Sequence, residues 1–213
     1  MKITIVYDNK VWKEGLEADW GLSCLVEVEK AQKILFETGA NGRILLSNMK
    51  KLDINPFSIN EIFISHNHHD HIGGLPDFLK VNSQVKLYLP ATIVPPREMR
   101  NVTRITKATE IYHNIFSTGT LKGVEQSLVV QAEKGLVVVV GCSHPGVRNI
   151  LNAAARWGKL YALIGGLHGF NQFSLISEME IICPVHCTQY TSQIENFYPE
   201  KYVRGGAGRT IKL

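Results

Sequence analysis

The sequence contains no apolar run long enough to cross a membrane. Its uninterrupted apolar stretches, such as residues 136–140, fall far short of the roughly 20 residues that a spanning helix needs. Residues 1–8 lack the apolar core and the small-residue cleavage site of a signal peptide, so we interpret them as a first strand. We therefore expect a cytoplasmic protein with no membrane partner.

The sequence is also poor in cysteine. It has four cysteines, and they do not show the regular spacing of a small disulfide-stapled secreted domain. Cys183 and Cys187 flank His186, but a structural zinc site needs four ligands and the chain offers no second cysteine pair. We interpret both cysteines as buried apolar residues of a protein in a reducing compartment.

Neither sign of charge dominates the chain. The formal net charge is +4, and the basic residues are scattered rather than gathered in a stripe. This distribution favours a small anionic substrate and argues against a nucleic-acid partner. The 213 residues, of which 45% are hydrophobic, have the size and apolar content of one folded domain over residues 1–213. The sequence does not determine the oligomeric state.

Short apolar strands and amphipathic helices follow one another along the chain. Residues 24–28 and 33–37 predict one hairpin, and residues 128–131 and 136–140 predict another, whose second strand is central. Hairpins followed by strands that alternate with helices predict an α/β fold, with sheets of mixed direction covered by helices. Helices are predicted at residues 43–51, 77–80, 147–157, 173–180 and 191–197. Further strands are predicted at residues 3–7, 62–65, 86–89, 160–164 and 181–182, with an edge strand at residues 209–213. An irregular region is predicted from Pro95 and Pro96 to about residue 103.

Histidine is strongly concentrated in one segment. Four of the eight histidines lie within residues 66–71, directly after a predicted buried strand. Burying several imidazoles and a carboxylate is costly, whereas these groups are good ligands for Zn, Fe and Mn. A solvated polar loop is the alternative, but it does not account for the spacing. We predict that His66 and His68 share one metal and that Asp70 and His71 reach a second.

Three later segments share one pattern, in which an apolar strand is followed by a small residue and a histidine. They end in His144, His168 and His186. Strand ends that lie side by side would place these histidines around one crevice, where ligand sites of open α/β sheets usually lie. One histidine at a strand end is more often a structural hydrogen-bonding group. Three of them, together with the earlier cluster, favour metal or substrate roles.

The remaining candidates receive structural interpretations. His69 alternates with the predicted ligands and is expected to face solvent or a neighbouring polar group, and His113 lies in a polar loop. Residues 205–210 are rich in glycine but lack the lysine and the following helix of a phosphate loop. We predict a tight turn there.

The His-x-His-x-Asp-His motif of residues 66–71, followed by Gly73 and Gly74, resembles the signature of the metallo-β-lactamase superfamily. Residues 21–27 and 34–39 are similar to the opening hairpin of that family, except that Glu37 stands where the family commonly has aspartate. The resemblance extends from about Gly21 to the C-terminus. It implies an αββα sandwich of two mixed sheets flanked by helices, with a metal site at one sheet edge.

Residues 125–128, 141–146, 165–168 and 184–188 resemble one branch of that superfamily, which contains dihydropterin–ribofuranosylaminobenzene phosphate synthases and hydrolase-like proteins. In the wider superfamily a strand ends in Gly-Asp and the aspartate bridges two metals. Here Cys142 follows Gly141 instead. The bridging position is left to Cys142, His168 or water. We expect the Cys142 thiol to point away, because a short turn cannot easily direct both Cys142 and His144 at one ion.

The resemblance also implies a ligand set and a cofactor. His144 would be the third ligand of the first metal, and His186 would complete the second. The cofactor is a divalent metal, preferably zinc as one or two ions, and the same ligands also accept Mn or Fe. The expected metal ligands are His66, His68, Asp70, His71, His144 and His186.

These residues support a metal-dependent hydrolase as the first hypothesis. A metal lowers the pKa of bound water, and the resulting hydroxide would attack a small anionic ester, lactone or phosphate-containing substrate. We expect Asp70 to orient this nucleophile and His168 to hydrogen-bond the leaving group or a phosphate. A pterin-condensing transferase that releases pyrophosphate is one alternative, and a non-hydrolytic redox or sensor module is another. Substrate specificity is expected in the loops of residues 91–120.

Overall fold

Seven strands form the first sheet of the computed structural model, which describes residues 1–28, 32–95 and 100–213. They are β1 (Lys2–Tyr7), β2 (Ser23–Val28), β3 (Gln32–Phe36), β4 (Glu61–Phe63), β5 (Lys86–Pro90), β6 (Val102–Ile105) and β13 (Thr210–Lys212). Their spatial order is β13-β1-β2-β3-β4-β5-β6. Pairing is antiparallel from β13 to β3 and parallel from β3 to β6. The predicted C-terminal edge strand is confirmed.

Six strands form the second sheet. They are β7 (Lys107–Tyr112), β8 (Ile115–Gly119), β9 (Leu128–Ala132), β10 (Gly135–Val140), β11 (Leu160–Gly166) and β12 (Ile181–Val185). The spatial order is β12-β11-β10-β9-β8-β7, in which β10, β11 and β12 are parallel and the other neighbours are antiparallel. All six residues of β10 are buried, which confirms its predicted central position.

Helices cover the outer face of each sheet. Their bounds are α1 (Gly42–Lys51), α2 (His69–Ile72), α3 (Leu75–Val81), α4 (Val147–Ala154) and α5 (Thr191–Phe197), with 3-10 turns at Pro56–Ser58, Ala155–Trp157 and Phe173–Ile176. Residues of α1 and α3 pack on the first sheet, and residues of α4 and α5 pack on the second. The inner faces of both sheets share one apolar core, which includes Ile3, Val26, Val130, Val139 and Ile164. The predicted αββα class is therefore confirmed.

Local sequence explains why α1 begins where it does. Asn41 has an extended backbone, and its side-chain oxygen accepts the N–H groups of Arg43 at 3.0 Å and Ile44 at 3.4 Å. Such a cap contributes about 1 kcal/mol to helix stability, because it satisfies backbone donors that have no partner within the helix. Among the described residues, no helix combines the length and the apolar character that a membrane crossing requires.

Several predicted elements differ from the structure. The helix expected at residues 173–180 is only the 3-10 turn Phe173–Ile176. The strands β6, β7 and β8 were not predicted, and they occupy much of residues 91–120, where we expected loops. Only Ile105 is buried in β6 and β7, and polar residues interrupt the apolar ones, so these strands give little periodic signal. Pro96, expected in an irregular region, lies outside the described residues.

The three parallel strands of the second sheet end side by side. Val140 pairs with Gly165, and Gly165 pairs with Pro184. Gly165 has φ +133°, and a Cβ at this position would collide with the backbone oxygen of Val140, so this close approach requires glycine. The strand ends therefore bring the three following histidines to one edge of the sandwich, as the repeated pattern predicted.

Candidate metal centre

Side chains from both sheets meet at this edge. His66 and His68 follow β4, and Asp70 and His71 lie on the single turn of α2. The second sheet contributes the histidines that follow its parallel strands, namely His144, His168 and His186. All six predicted metal ligands are therefore brought together.

The first donor group consists of His66, His68 and His144. One ligand atom from each lies within 4.8 Å of the others. The ring centroids are 4.5 Å apart for His66 and His68, 4.6 Å for His66 and His144, and 4.8 Å for His68 and His144. Three imidazoles from both sheets are thus positioned to hold one divalent ion.

The second donor group consists of Asp70, His71 and His186, again with ligand atoms within 4.8 Å of one another. Asp70 Oδ2 lies 3.2 Å from His186 Nε2 and 3.7 Å from His71 Nε2. The two groups adjoin, because the rings of His66 and His71 are 4.2 Å apart. This arrangement offers a second ion a mixed carboxylate and imidazole set.

Three buried imidazole nitrogens in these groups have no hydrogen-bond partner: His66 Nε2, His186 Nε2, and His71 Nδ1, which lies 3.8 Å from Glu37 Oε2. A buried polar atom without a partner is costly and rare in folded proteins. His66 Nε2 belongs to the first donor group and His186 Nε2 to the second. Since a divalent cation would satisfy both nitrogens, the donor set fits a metal.

The Nδ1 atoms of His66, His144 and His186 each have a hydrogen-bond partner in the protein. Asn9 Oδ1 lies 3.0 Å from His186 Nδ1, and Glu125 Oε2 lies 2.9 Å from His144 Nδ1. Both oxygens only accept, so each Nδ1 carries the hydrogen and each Nε2 keeps its lone pair. Ser65 Oγ, at 2.7 Å, is the partner of His66 Nδ1. Such partners fix the tautomer and the ring orientation of metal-binding histidines.

Glu125 is the carboxylate that organises the loop after β10. It is fully buried; its Oε1 accepts the N–H groups of Cys142 at 3.1 Å and Ser143 at 3.0 Å, and its Oε2 accepts that of His144 at 2.9 Å. Sequence reasoning gave Glu125 no role. The available signal was a glutamate three residues before the apolar strand β9, because a charge is rarely buried without partners.

Cys142 faces the centre, so the expectation that its thiol points away is wrong. Its Sγ lies 3.1 Å from His71 Nε2, and it forms further potential donor groups with His66 and His71 and with His144 and His168. The physical reason is Ser143, whose left-handed backbone (φ +62°) turns the chain between Cys142 and His144. One short turn can therefore direct both side chains at the centre.

Cys183 and Cys187 lie in different environments. Cys183 lies in the apolar core between the sheets, as expected. Cys187 is also buried, but its Sγ forms a potential donor group with Cys142 and His186, so its environment is not purely apolar. His168 is exposed at the rim, with its ring 5.2 Å from that of His144.

Two further residues were missed because they approach the centre from the N-terminal segment. The Trp20 indole N–H donates to Asp70 Oδ2 at 2.9 Å, and the Trp20 ring lies 5.0 Å from that of His186. Asp8 Oδ1 accepts the backbone N–H of His186 at 2.9 Å. His69 and His113 are exposed and belong to no potential donor group of the described residues, consistent with their structural interpretation.

Burial keeps key imidazoles neutral. It lowers the pKa of His66 to about 2 and that of His186 to about 4, because water no longer solvates the charged ring. His144 is the exception, because the hydrogen bond from its ring to Glu125 raises its pKa. Neutral imidazole is the form that binds metals.

These pKa shifts predict acid sensitivity of the metal-free protein. Because both pKa values lie below the value of about 6.5 in an unfolded chain, the unfolded state binds more protons between about pH 6.5 and pH 4. Each of His66 and His186 is expected to remove up to about 1.4 kcal/mol of unfolding free energy per pH unit as pH falls through this window. Urea unfolding in the presence of a chelator measures this. A constant free energy from about pH 7 to pH 5 would contradict neutral, buried rings.

The inward-facing thiol gives a second prediction. Cys142→Ala is expected to weaken binding of a second zinc equivalent, whereas Cys142→Asp retains it, because a carboxylate oxygen can replace the sulfur ligand. Isothermal titration with zinc measures both equivalents, and a thiolate charge-transfer band in the cobalt-substituted protein reports sulfur ligation directly. Two tight equivalents in Cys142→Ala, with the band unchanged, would exclude the thiol as a ligand.

Comparisons with known proteins agree with this fold and motif. Residues 21–115 match the model of the metallo-β-lactamase superfamily. The chain is 27% identical over 278 aligned residues to the 7,8-dihydropterin-6-methyl-4-(β-D-ribofuranosyl)-aminobenzene-5'-phosphate synthase of Methanocaldococcus jannaschii, with 97% of this chain and 92% of that protein covered.

Two solved structures share the architecture over the whole chain. One is Tm1679, a metal-dependent hydrolase of the β-lactamase superfamily, with a TM-score of 0.79, 24% identity, and 100% of this chain and 99% of that chain covered. The other is the metallo-β-lactamase fold protein YhfI from Bacillus subtilis, with a TM-score of 0.67, 11% identity, and coverage of 99% and 98%. The family model matches just under half of the chain, and the whole chain shares the fold of these proteins, so this protein resembles the metallo-β-lactamase superfamily in motif and architecture.

Proposed function

We propose that the protein is a metal-dependent hydrolase that acts on a small anionic ester, lactone or phosphate-containing compound. The observation that carries the proposal is the pair of buried nitrogens without partners, His66 Nε2 and His186 Nε2, one in each donor group. A bound divalent metal, preferably zinc, would supply Lewis-acid chemistry by activating water and polarising a substrate oxygen. The proposed ligands are His66, His68, Asp70, His71, His144 and His186.

Two residues are proposed to act on the reactants. Asp70 orients the attacking water, because its Oδ2 is fixed by the hydrogen bond from the exposed Trp20 indole and lies 3.2 Å from His186 Nε2. His168 donates a hydrogen bond to the leaving group or to a phosphate oxygen. Its support is its position, since it is exposed beside His144 and reachable by substrate.

The protein's remaining contribution is to hold these groups in place. Asn9 and Glu125 each accept a hydrogen from a histidine Nδ1, so His186 and His144 present Nε2 without reorientation. Asn9 is itself fixed, because its Oδ1 also accepts the Gly21 N–H at 3.0 Å and its Nδ2 donates to the His186 carbonyl at 3.0 Å. Such preorganisation avoids a reorganisation cost during the reaction.

The proposal is tested by assaying zinc-loaded protein on a phosphodiester, a lactone and a carboxylic ester. His66→Ala is expected to reduce turnover by at least about 100-fold, because metal catalysis contributes several kcal/mol. His113→Ala, in the exposed turn between β7 and β8, is the matched control and should keep full activity. Metal-replete protein that turns over none of the three classes, or His66→Ala with unchanged turnover, contradicts the proposal.

A second candidate is a pterin-condensing transferase that releases pyrophosphate. It is favoured by the alignment with the dihydropterin-linked synthase, which covers nearly all of both chains. A pyrophosphate-release assay with a dihydropterin-methyl pyrophosphate and an aromatic amine distinguishes the two. Pyrophosphate formed only when the amine is present supports the transferase, whereas release with water alone supports the hydrolase.

A further inference from the structure

Two cysteine side chains converge at the end of the second sheet. Cys142 follows β10 and Cys187 follows β12, and β11 lies between these two strands. Both are free thiols, and both are buried, with exposed fractions of 3% and 8%. Their Sγ atoms and a ring nitrogen of His186 all lie within 4.8 Å of one another. Two sulfurs and one imidazole from separate strands therefore share one small volume.

A glycine at the end of β11 allows the two cysteines to meet across that strand. A Cβ on Gly166 would lie 2.7 Å from Cys187 Sγ and 2.4 Å from the backbone oxygen of Gly141, so no side chain fits there. The loops on either side are bound to β11. Ser143 Oγ donates to the Gly166 carbonyl at 2.7 Å, and Thr188 Oγ1 accepts the next backbone N–H of the chain at 3.0 Å. These contacts hold both cysteine-bearing loops together over the end of β11.

The backbone of His186 turns so that two consecutive side chains face the same volume. Its φ of +51° is left-handed, which is uncommon for a residue other than glycine. Asp8 Oδ1 accepts its N–H at 2.9 Å, and Asn9 Nδ2 donates to its carbonyl at 3.0 Å. In a regular strand the side chains of His186 and Cys187 would point to opposite faces. A sparsely populated backbone conformation that the protein holds on both sides is typical of a functional site.

Ordinary core packing does not account for the thiols of Cys142 and Cys187. A buried free cysteine usually behaves as a small apolar side chain, and Cys183 does so in the core between the sheets. Cys142 Sγ instead lies 3.1 Å from His71 Nε2. The His186 side chain is 0% exposed, and its Nε2 has no hydrogen-bond partner. A metal ion would satisfy this nitrogen and take both sulfurs as ligands.

Sulfur makes this position chemically different from the carboxylate side of the centre. Asp70 and His71 also adjoin His186, but they offer oxygen and nitrogen. Thiolate ligands favour zinc, whereas carboxylate ligands suit manganese and magnesium. Two cysteines and one histidine form the protein ligands of one class of catalytic zinc site, in which a fourth position stays open. The donor set of two sulfurs and one nitrogen therefore has the composition of a zinc site.

We propose that Cys142, Cys187 and His186 hold the second metal ion of the centre, and that each thiol releases its proton to solvent as it binds. Cys187 is then a metal ligand, and the second position prefers zinc to manganese. Asp70 and His71 remain neighbours of this position. The inference rests on the proposed function only for the presence of metal at this centre. It deepens that function by assigning the sulfur ligands and the metal class of the second position.

X-ray absorption spectroscopy of protein loaded with two zinc equivalents tests the ligands directly. Zinc–sulfur distances of about 2.3 Å are distinct from zinc–nitrogen distances of about 2.0–2.1 Å. The wild type is expected to show about one sulfur ligand per zinc ion, averaged over both ions, and Cys187→Ala about half of that. The double variant of Cys142→Ala and Cys187→Ala should show no sulfur. Cys183→Ala, which removes a buried thiol from the core, is the matched control and should keep the wild-type value.

Metal competition tests the preference for zinc. Each protein is dialysed against a mixture of zinc and manganese, and the bound metals are measured by elemental analysis. The zinc-to-manganese ratio at the second equivalent is expected to fall at least about tenfold in the double variant, because loss of a ligand should cost at least what loss of an outer partner costs. Cys187→Ser keeps nearly the size of the thiol and replaces Cys187→Ala if circular dichroism shows that the alanine variant is unfolded.

Three results would overturn the proposal. An unchanged sulfur count in both Cys187 variants would show that Cys187 is not a ligand. An unchanged metal ratio in the double variant would show that the sulfurs do not select zinc. Equal losses in Cys183→Ala would show that any buried thiol has the same effect, through a general disturbance of packing.

Failure of this inference can be told apart from failure of the proposed function, because neither measurement needs turnover. Sulfur-bound zinc in a protein that turns over none of the three substrate classes would reject the hydrolase and keep the site. Turnover by a protein whose zinc has only nitrogen and oxygen ligands would keep the hydrolase and reject the site.

Discussion

His68→Ala is expected to release most of the bound metal and to abolish activity. The first donor group has three imidazoles, and His68 is the one that lies exposed on the loop after β4. Removing one of three ligands should weaken binding of that ion by more than the roughly 10–100-fold that loss of an outer partner costs. Elemental analysis after dialysis measures the remaining metal. Full occupancy in His68→Ala would contradict the assignment of this group.

The neighbouring residue provides a matched control for that change. His69 is the next residue in the chain, is exposed, and belongs to no potential donor group of the described residues. His69→Ala removes the same atoms from the adjacent position, at the start of α2, and is expected to retain metal and activity. Equal losses in both variants would indicate a general disturbance of the loop rather than the loss of a ligand.

Glu125→Ala is expected to destabilise the protein by about 3–5 kcal/mol, because each buried donor left without an acceptor costs about 1–3 kcal/mol. The substitution leaves the backbone N–H groups of Cys142, Ser143 and His144 without their acceptor, and also frees the His144 ring. Urea unfolding measures the stability, and zinc titration measures the metal affinity. Glu133→Ala, on the exposed turn before β10, is the control.

Glu125→Gln separates the charge from the shape of this side chain. Its amide oxygen can still accept N–H groups, but its amide nitrogen would face either the His144 N–H and Nδ1–H or the N–H groups of Cys142 and Ser143. We therefore expect Glu125→Gln to fold better than Glu125→Ala and yet to bind zinc more weakly than wild type. Wild-type metal affinity in Glu125→Gln would show that Glu125 does not orient His144.

Much of the fold could be predicted from local patterns. The hairpin of β2 and β3 and the all-apolar strand β10 follow from side-chain alternation and hydrophobicity within a few residues. The strands β6 and β7 could not, because Ile105 is their only buried residue and polar residues interrupt their apolar ones, although their partners β5 and β8 are the neighbouring strands in the sequence. The helix predicted at residues 173–180 is only the 3-10 turn Phe173–Ile176 in the structure, because tertiary packing overrides a weak local helix preference.

Some features of the candidate site also follow from the sequence, whereas others depend on the tertiary structure. The sequence by itself determined the family motif, the six proposed ligands and the repeated strand-to-histidine pattern, because these depend on residue types at short, regular spacing. Only the tertiary structure decided that Cys142 faces inward, that Glu125 and Asn9 hold the histidine rings, and that Cys187 lies beside Cys142 and His186. These relations join residues far apart in the chain through directional hydrogen bonds and shared space, which leave no periodic trace in the sequence.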